Sequence, residues 1–314
     1  AFKILGGNPG LYELLIVGCG PAGLTAGIYA ARYGINCLTV GRDYGLAGEA
    51  HLVENYPGFQ SIGGLELADR MLKHLTSYGV PVRFGEEASK ISKSGKGFTA
   101  ELSGGEKIEA QAVIYAAGAR HRKLEAPGED RLLGRGVSYC ATCDGPLYRG
   151  KIVAVVGGSN SAAQSALLLA EHASKVYILY RRERLRCEPI LAERVEKNSK
   201  IETLYRVVPV ELEGSQKLEA VMLKRADEET FRLDVDGVFV EIGVIPNVEP
   251  VKGLGVETGE EGRIRVKPDQ STNVEGFFAA GNVTDGSNRL DQIVTAAAEG
   301  AVAASSAYRY LRGT

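Results

Sequence analysis

Twice along its length the chain runs a short apolar strand straight into a glycine-rich turn and then into a helix of small residues. No other feature restricts its fold as much. The first copy is the strand Leu14-Leu15-Ile16-Val17, the turn Gly18-Cys19-Gly20-Pro21-Ala22-Gly23, a helix expected over residues 24–33 that stops at Gly34, and a second strand over 36–40. The second copy is a strand over 151–156, the turn Gly157-Gly158-Ser159-Asn160-Ser161-Ala162, a helix over 163–172 and a strand over 176–180. Apolar runs without alternation suit strands buried on both faces. A glycine turn between such a strand and a helix lets the backbone approach a pyrophosphate, whose charge then sits at the helix N-terminus. The competing reading is an empty tight turn in an α/β fold. The returning strand in each copy supplies the full context that a dinucleotide fingerprint requires. A chain of 314 residues suits about two domains.

The two copies differ where they would meet a ribose. After the second strand of the first copy come Gly41 and Arg42, with an acid only at Asp43. At the same place in the second copy stand Arg181, Arg182, Arg184 and Arg186. Guanidinium forks suit a 2′-phosphate, which favours NADP over NAD; the alternative is a solvated basic helix start. Ser159 occupies the second fingerprint position, normally glycine.

The rest of the chain falls around these copies. Residues 1–11 read as an irregular lead-in. A glycine-rich loop over 45–58 ends in Glu54-Asn55-Tyr56-Pro57-Gly58, and residues 65–78 have helical spacing. Residues 80–107 and 201–236 alternate apolar and polar side chains and read as antiparallel layers. Residues 112–116 form another buried strand ending at Ala117-Gly118, and 238–243 a closing strand. Gly276-Phe277-Phe278-Ala279-Ala280-Gly281-Asn282, followed by Gln292-Ile293 and an alanine-rich helix, looks like a further ligand loop at a helix N-terminus.

Between the copies lies Cys140-Ala141-Thr142-Cys143-Asp144-Gly145. Two sulfurs three residues apart can face each other across one turn and close a disulfide. Such a pair can accept two electrons and pass them on by exchange. Asp144 is placed to move the proton that thiol chemistry requires. Half of a zinc site is the alternative, but no second pair exists, and Cys19, Cys37 and Cys187 have no histidine at ligand spacing. No metal is expected. Net charge is −2, which gives no reason to propose nucleic acid or an anionic membrane. No apolar run reaches membrane-helix length, and the first residues lack the order of a secretory signal. Five cysteines fit a reducing compartment, so a cytoplasmic protein is expected.

A dithiol does not accept a hydride from nicotinamide at useful rates by itself, whereas a flavin converts hydride chemistry into thiol chemistry. The order expected is therefore donor, flavin, Cys140/Cys143, external disulfide. Here the chain resembles a known family, the low-molecular-weight, two-domain thioredoxin reductases, class II flavin disulfide oxidoreductases. The resemblance rests on Gly18 to Gly23, Glu54-Asn55-Tyr56-Pro57-Gly58, Cys140 to Gly145, the second glycine turn, Arg181-Arg182 with Arg186, Gly276 to Asn282 and Gln292-Ile293. These motifs run in the family's order over nearly the whole chain.

The resemblance implies an α/β protein of two Rossmann-like three-layer nucleotide-binding domains, the second inserted in the first. Residues 1–119 and 247–314 would bind FAD, and 120–246 would take NADPH and carry the cysteines. FAD would meet Gly18, Gly20, Pro21, Ala22, Gly23, Gly48, Glu49, Asn55, Gly118, Gly281, Asn282, Gln292 and Ile293. NADPH would meet Gly157, Gly158, Ser159, Asn160, Ser161, Ala162, Arg181, Arg182 and Arg186. Cys143 would be the sulfur nearer the flavin, Cys140 would attack the partner's disulfide, and Asp144 would handle the proton. Gly118 and the segments near 122 and 246 would act as hinges for a rotating insert. The partner would be thioredoxin or a thioredoxin-like protein, and the assembly a homodimer.

Some positions depart from the family. Asn282 stands where an aspartate usually meets the ribityl chain, though an asparagine still accepts a hydrogen bond. Asp291 replaces an arginine before the glutamine, the loop near Gly48-Glu49 is shorter with Glu for Gln, and Tyr180 replaces a histidine. With Ser159, Tyr180 bears on the pyridine nucleotide site, since relatives of this fold use other donors, including ferredoxin. Two further readings follow: the same disulfide chemistry with another donor, or a non-catalytic FAD-binding redox sensor.

Overall fold

The computed structural model describes residues 11–95, 97–225 and 229–314. The chain divides into two compact units, one ending at Arg120 and resuming over Ile245–Thr314, the other His121–Val244. The lead-in expected over residues 1–11 falls outside the described residues except for Leu11, which already belongs to a strand.

In chain order the first unit begins β1 (Leu11–Val17), α1 (Pro21–Arg32), β2 (Cys37–Gly41), α2 (Leu46–Glu49), α3 (Gly64–Ser77), β3 (Val82–Phe84), β4 (Ala88–Ser94), β5 (Gly97–Leu102) and β6 (Lys107–Tyr115). The short strand β7 (Ala119–His121) leaves it. The second unit holds α4 (Glu129–Leu132), β8 (Val137–Ser138), α5 (Ala141–Asp144), β9 (Ile152–Val156), α6 (Asn160–His172), β10 (Lys175–Tyr180) and α7 (Pro189–Lys197). It continues through β11 (Ile201–Tyr205), β12 (Val207–Glu213), β13 (Ala220–Arg225), β14 (Thr230–Asp234) and β15 (Gly237–Val240). The returning strand β16 (Val244–Pro246) pairs with β7, and β17 (Phe277–Ala279) and α8 (Ile293–Arg312) complete the first unit.

Each unit is a Rossmann-like arrangement. In the first, β3, β2, β1, β6 and β17 run parallel in that spatial order, and β5 and β4 extend the sheet antiparallel from β6. In the second, β11, β10, β9, β15 and β8 are parallel, with β12, β13 and β14 as a separate antiparallel sheet. The central strands are buried throughout their apolar runs, as strands covered on both faces must be.

Two expectations are corrected here. Residues 80–107 and 201–236 are not wholly antiparallel, because β3 and β11, at their starts, join the parallel sheets as edge strands. Alternation reports one wet and one dry face, which an edge strand also has, and says nothing of strand direction. Helix α1 begins at Pro21, three residues earlier than its apolar spacing suggests, because proline is well suited to the first helical turn.

The small residues of α1 and α8 set how closely these two helices lie. Ala22, Ala26 and Ala30 of α1 share a core with Ala296, Ala303, Ala304 and Ala307 of α8. At Gly300 a Cβ would stand 2.1 Å from the carbonyl oxygen of Ala22, so the helices meet backbone to backbone. Gly300→Val is expected to lower stability by about 1–3 kcal/mol through overpacking. Denaturant unfolding measures it; an unchanged midpoint would show that the helices are not in this contact.

Candidate active site

The Cys140–Cys143 pair occupies one turn. The cysteines are joined as a disulfide with their Cα atoms 5.3 Å apart. Cys140 caps α5, and the Cys143 backbone N–H donates to Cys140 Sγ at 3.1 Å. Buried Ser138 holds the first cysteine from both sides, accepting from its N–H at 3.0 Å and donating to its carbonyl at 3.3 Å. Tyr139, directly before it, donates to the buried Glu129 carboxylate and is stacked by His121. Glu129 also accepts from the Leu124 and Glu125 backbone at 2.8 and 2.6 Å. Cys143 is exposed and Asp144 half-buried within the chain. Away from this turn, burial pushes the Cys19 and Cys37 thiols up to about 12, which leaves them protonated and unreactive.

The first glycine turn follows β1. Gly18 has φ +123°, and a Cβ on it would meet the Ala116 carbonyl oxygen at 2.1 Å. A Cβ on Gly23 would lie 1.9 Å from the Gly18 carbonyl oxygen. Those two glycines are demanded by the protein's own packing. Gly20 is not: its backbone is extended, and a Cβ there would meet nothing closer than the Tyr44 carbonyl at 3.5 Å. The room beside Gly20 is left for something other than the chain. No side chain caps α1, and its first turn, with Pro21, Ala22 and Gly23, carries no acid. This is the local chemistry a pyrophosphate needs.

The other residues expected around it lie in the same unit. Gly118 follows β6, and Gly281 with Asn282 follows β17; Gly48 and Glu49 lie in α2. Gln292 caps α8, with Ile293 as the first helical residue. Asn55 and Gln292, 237 residues apart, are joined by a hydrogen bond from Asn55 Nδ2 to Gln292 Oε1 at 2.9 Å. The departure at Asp291 has a partner: Arg263, only 5% exposed, binds its carboxylate with two nitrogens at 2.8 and 2.7 Å. The same guanidinium donates to the carbonyls of Asn282 at 3.1 Å and Thr284 at 3.3 Å. One buried cation thus ties the Asn282 loop to the start of α8. Buried Glu299 accepts from the Gly281 N–H at 2.6 Å, and burial pushes its carboxyl above the usual range.

The second glycine turn follows β9. Gly157 has φ +144°, and a Cβ on it would stand 2.1 Å from the Glu241 carbonyl oxygen, as at Gly18. Gly158 is required by a side chain, because a Cβ there would come within 2.5 Å of the buried Tyr180 ring. Tyr180 therefore packs on the turn. Ser159 takes an ordinary extended backbone, and its hydroxyl pairs with Ser161 at 3.0 Å instead of capping α6, which then runs on from Asn160 through Ala162. Arg181, Arg182, Arg184 and Arg186 are exposed at the end of β10.

The family model for pyridine nucleotide-disulphide oxidoreductases matches residues 12–300. This chain belongs to that family. Thioredoxin reductase from Bacillus subtilis (strain 168) is 39% identical over 305 residues, covering 96% of this chain and 95% of that protein. A crystal structure of Lactococcus lactis thioredoxin reductase superposes with a TM-score of 0.93 at 36% identity, covering 96% of this chain and all of the other. A crystal structure of T. acidophilum thioredoxin reductase superposes with a TM-score of 0.90 at 37% identity, covering 95% of this chain and 98% of the other. Within the family the chain falls among the low-molecular-weight, two-domain thioredoxin reductases. It is an FAD-dependent disulfide reductase that works through Cys140 and Cys143.

Sequence reasoning missed Ser138, Glu129, Arg263 and Glu299, which lie outside the motifs and act through contacts that residue spacing does not show. In the native oxidised protein, iodoacetamide at mildly alkaline pH is expected to leave Cys19 and Cys37 unmodified, and to label both once denaturant is added. Peptide mass spectrometry reads the result; native labelling at either position would contradict the burial.

Proposed function

We propose that the chain passes electrons from NADPH, through FAD, to the Cys140–Cys143 pair and on to the disulfide of thioredoxin or a thioredoxin-like protein. The observation that carries this reading is the closed Cys140–Cys143 disulfide on the same unit as a glycine turn and, after β10, four exposed arginines. The similarity to thioredoxin reductases supports the partner.

Gly18, Gly20, Pro21, Ala22 and Gly23 would hold the FAD pyrophosphate at the uncapped end of α1. Asn282 would take the ribityl chain, with Gly48, Glu49, Asn55, Gly118, Gly281, Gln292 and Ile293 around the rest. Residues 1–119 with 247–314 would form that domain, and 120–246 the NADPH and cysteine domain. There Gly157, Gly158, Ser159, Asn160, Ser161 and Ala162 would receive the pyrophosphate, and Arg181, Arg182 and Arg186 the 2′-phosphate. Bound FAD supplies the exchange between hydride and thiol electron pairs.

The chain's own residues do the remainder. Two electrons break the Cys140–Cys143 bond and leave a dithiol. The Cys143 N–H, aimed at Cys140 Sγ, favours the thiolate on Cys140. That thiolate attacks the partner disulfide, displacing one partner sulfur, to which Asp144 delivers a proton. Cys143 then attacks the Cys140 sulfur, the partner leaves as a dithiol, and the Cys140–Cys143 bond closes again. Two electrons and two protons have moved. We infer also a homodimer, on the family resemblance. We place it in the cytoplasm, where free thiols such as Cys19, Cys37 and Cys187 persist. Among the described residues no helix is long and apolar enough to cross a membrane.

Anaerobic titration of the holoenzyme with NADPH, NADH and a low-potential donor in parallel tests the donor. NADPH is expected to bleach the flavin fastest; bleaching by the low-potential donor alone would favour the second donor reading. Cys143→Ser is expected to keep its FAD absorbance and lose thioredoxin turnover by about four orders of magnitude. Turnover within tenfold of the parent would overturn the assignment.

A further inference from the structure

The arginine loop is fastened to the second glycine turn by contacts that bring in Glu188 and Arg206, two residues without a part so far. The Arg186 backbone N–H donates to the Gly158 carbonyl at 2.6 Å. Two residues on, Glu188 and Asn160 exchange two hydrogen bonds: Asn160 Nδ2 donates to Glu188 Oε1 at 2.9 Å, and the Glu188 N–H donates to Asn160 Oδ1 at 2.8 Å. The other end of the loop is held by Arg206, whose N–H donates to the Arg182 carbonyl at 3.2 Å and whose guanidinium meets Glu183 at 2.6 Å. The stretch from Arg182 to Glu188 is thus pinned at both ends, with its arginine side chains exposed.

We propose that Glu188 is a specificity-determining positioning residue. Through Asn160 it sets the distance between the pyrophosphate turn and the arginines, and so the preference for a dinucleotide phosphorylated on its 2′-oxygen. The inference rests on the donor reading above. The separation of pyrophosphate and 2′-phosphate within one dinucleotide is confined by the ribose that joins them. A protein that reads both must hold its two sites at a matching separation before the ligand arrives, or meet the cost of ordering the loop on binding. A ligand lacking the 2′-phosphate uses only the turn and is indifferent to where the arginines stand. The clasp therefore acts on one ligand and not the other.

The sign of one substitution separates this from simple electrostatics. Glu188 is an acid beside four arginines. If its charge were all that mattered, Glu188→Ala would strengthen binding of the 2′-phosphorylated ligand. If it positions the loop, the same change weakens it. Both partners lie at the surface or half-exposed, so the fold does not depend on them.

The test is steady-state kinetics of the holoenzyme with NADPH and NADH. Glu188→Ala is expected to raise the KM for NADPH about five- to tenfold, the equivalent of one lost hydrogen bond. Its kcat and the KM for NADH are expected to move less than about twofold. Glu188→Gln keeps an oxygen for Asn160 and should restore the parent preference. Asn160→Asp sets two carboxylates face to face and should lower the preference, and the pair Asn160→Asp with Glu188→Gln, which restores a donor and an acceptor, should recover it. A Glu188→Ala enzyme with a lowered or unchanged KM for NADPH overturns the inference, as does an equal loss with both nucleotides. If the parent itself does not distinguish NADPH from NADH, the donor reading falls first and the inference with it.

Discussion

The first turn of α1 is wedged between backbones. Gly23 lies on the Gly18 carbonyl, Gly18 on the Ala116 carbonyl, and Gly300 of α8 on the carbonyl of Ala22. At each contact a single methyl group would stand about 2 Å from an oxygen, where no side chain fits. The end of α1, the end of β6 and the flank of α8 are thereby locked to one another. The loops that follow β1, β6 and β17 inherit their places from that lock. Because packing explains Gly18 and Gly23 but not Gly20, the one unexplained glycine marks the side on which a ligand is expected. The second unit repeats the device at Gly157, with Glu241 as the opposing carbonyl.

On this frame the polar contacts do the fine positioning. Arg263 joins Asp291 to the carbonyls of Asn282 and Thr284, so a residue that departs from the family pattern is held by a buried cation and not left without a partner. Removing Asp291 would be costly because the Arg263 charge would stay buried without its carboxylate, and this holds the loop's geometry. Ser138 does for Cys140 what Arg263 does for Asn282. It grips the backbone on both sides of the cysteine, and the sulfur is then presented to the Cys143 N–H. The reactive pair is accordingly set by bonds within a few residues, whereas the loops expected to hold nucleotide are set by bonds between residues well separated in sequence, up to 237 apart for Asn55 and Gln292.

That difference explains what could be read in the chain beforehand. The glycine turns, the Cys140–Cys143 pair and the arginines of the second copy are local patterns, legible because spacing alone carries the chemistry. The directions of β3 and β11 were not legible, since alternation of side chains distinguishes faces and not orientation. Nor was the bond between Asn55 and Gln292, 237 residues apart, or the match of Arg263 with Asp291. Glu188 escaped notice because one acid after a run of arginines looks like a solvated surface. Its meaning comes from the tertiary placement of Asn160. Tyr180 and Ser159, which looked like faults in the second turn, fit it: the ring packs on Gly158 and the hydroxyl turns to Ser161.

The central claim is that electrons leave this protein only through the bond between Cys140 and Cys143. It is tested most directly by mixing the oxidised holoenzyme anaerobically with one equivalent of its reductant, quenching in acid, alkylating in denaturant and weighing the peptide that spans the two cysteines. The account predicts two alkyl groups on that peptide after reduction and none before, with both lost again when oxidised thioredoxin is added. Reduction of thioredoxin while that peptide keeps its disulfide throughout would contradict it.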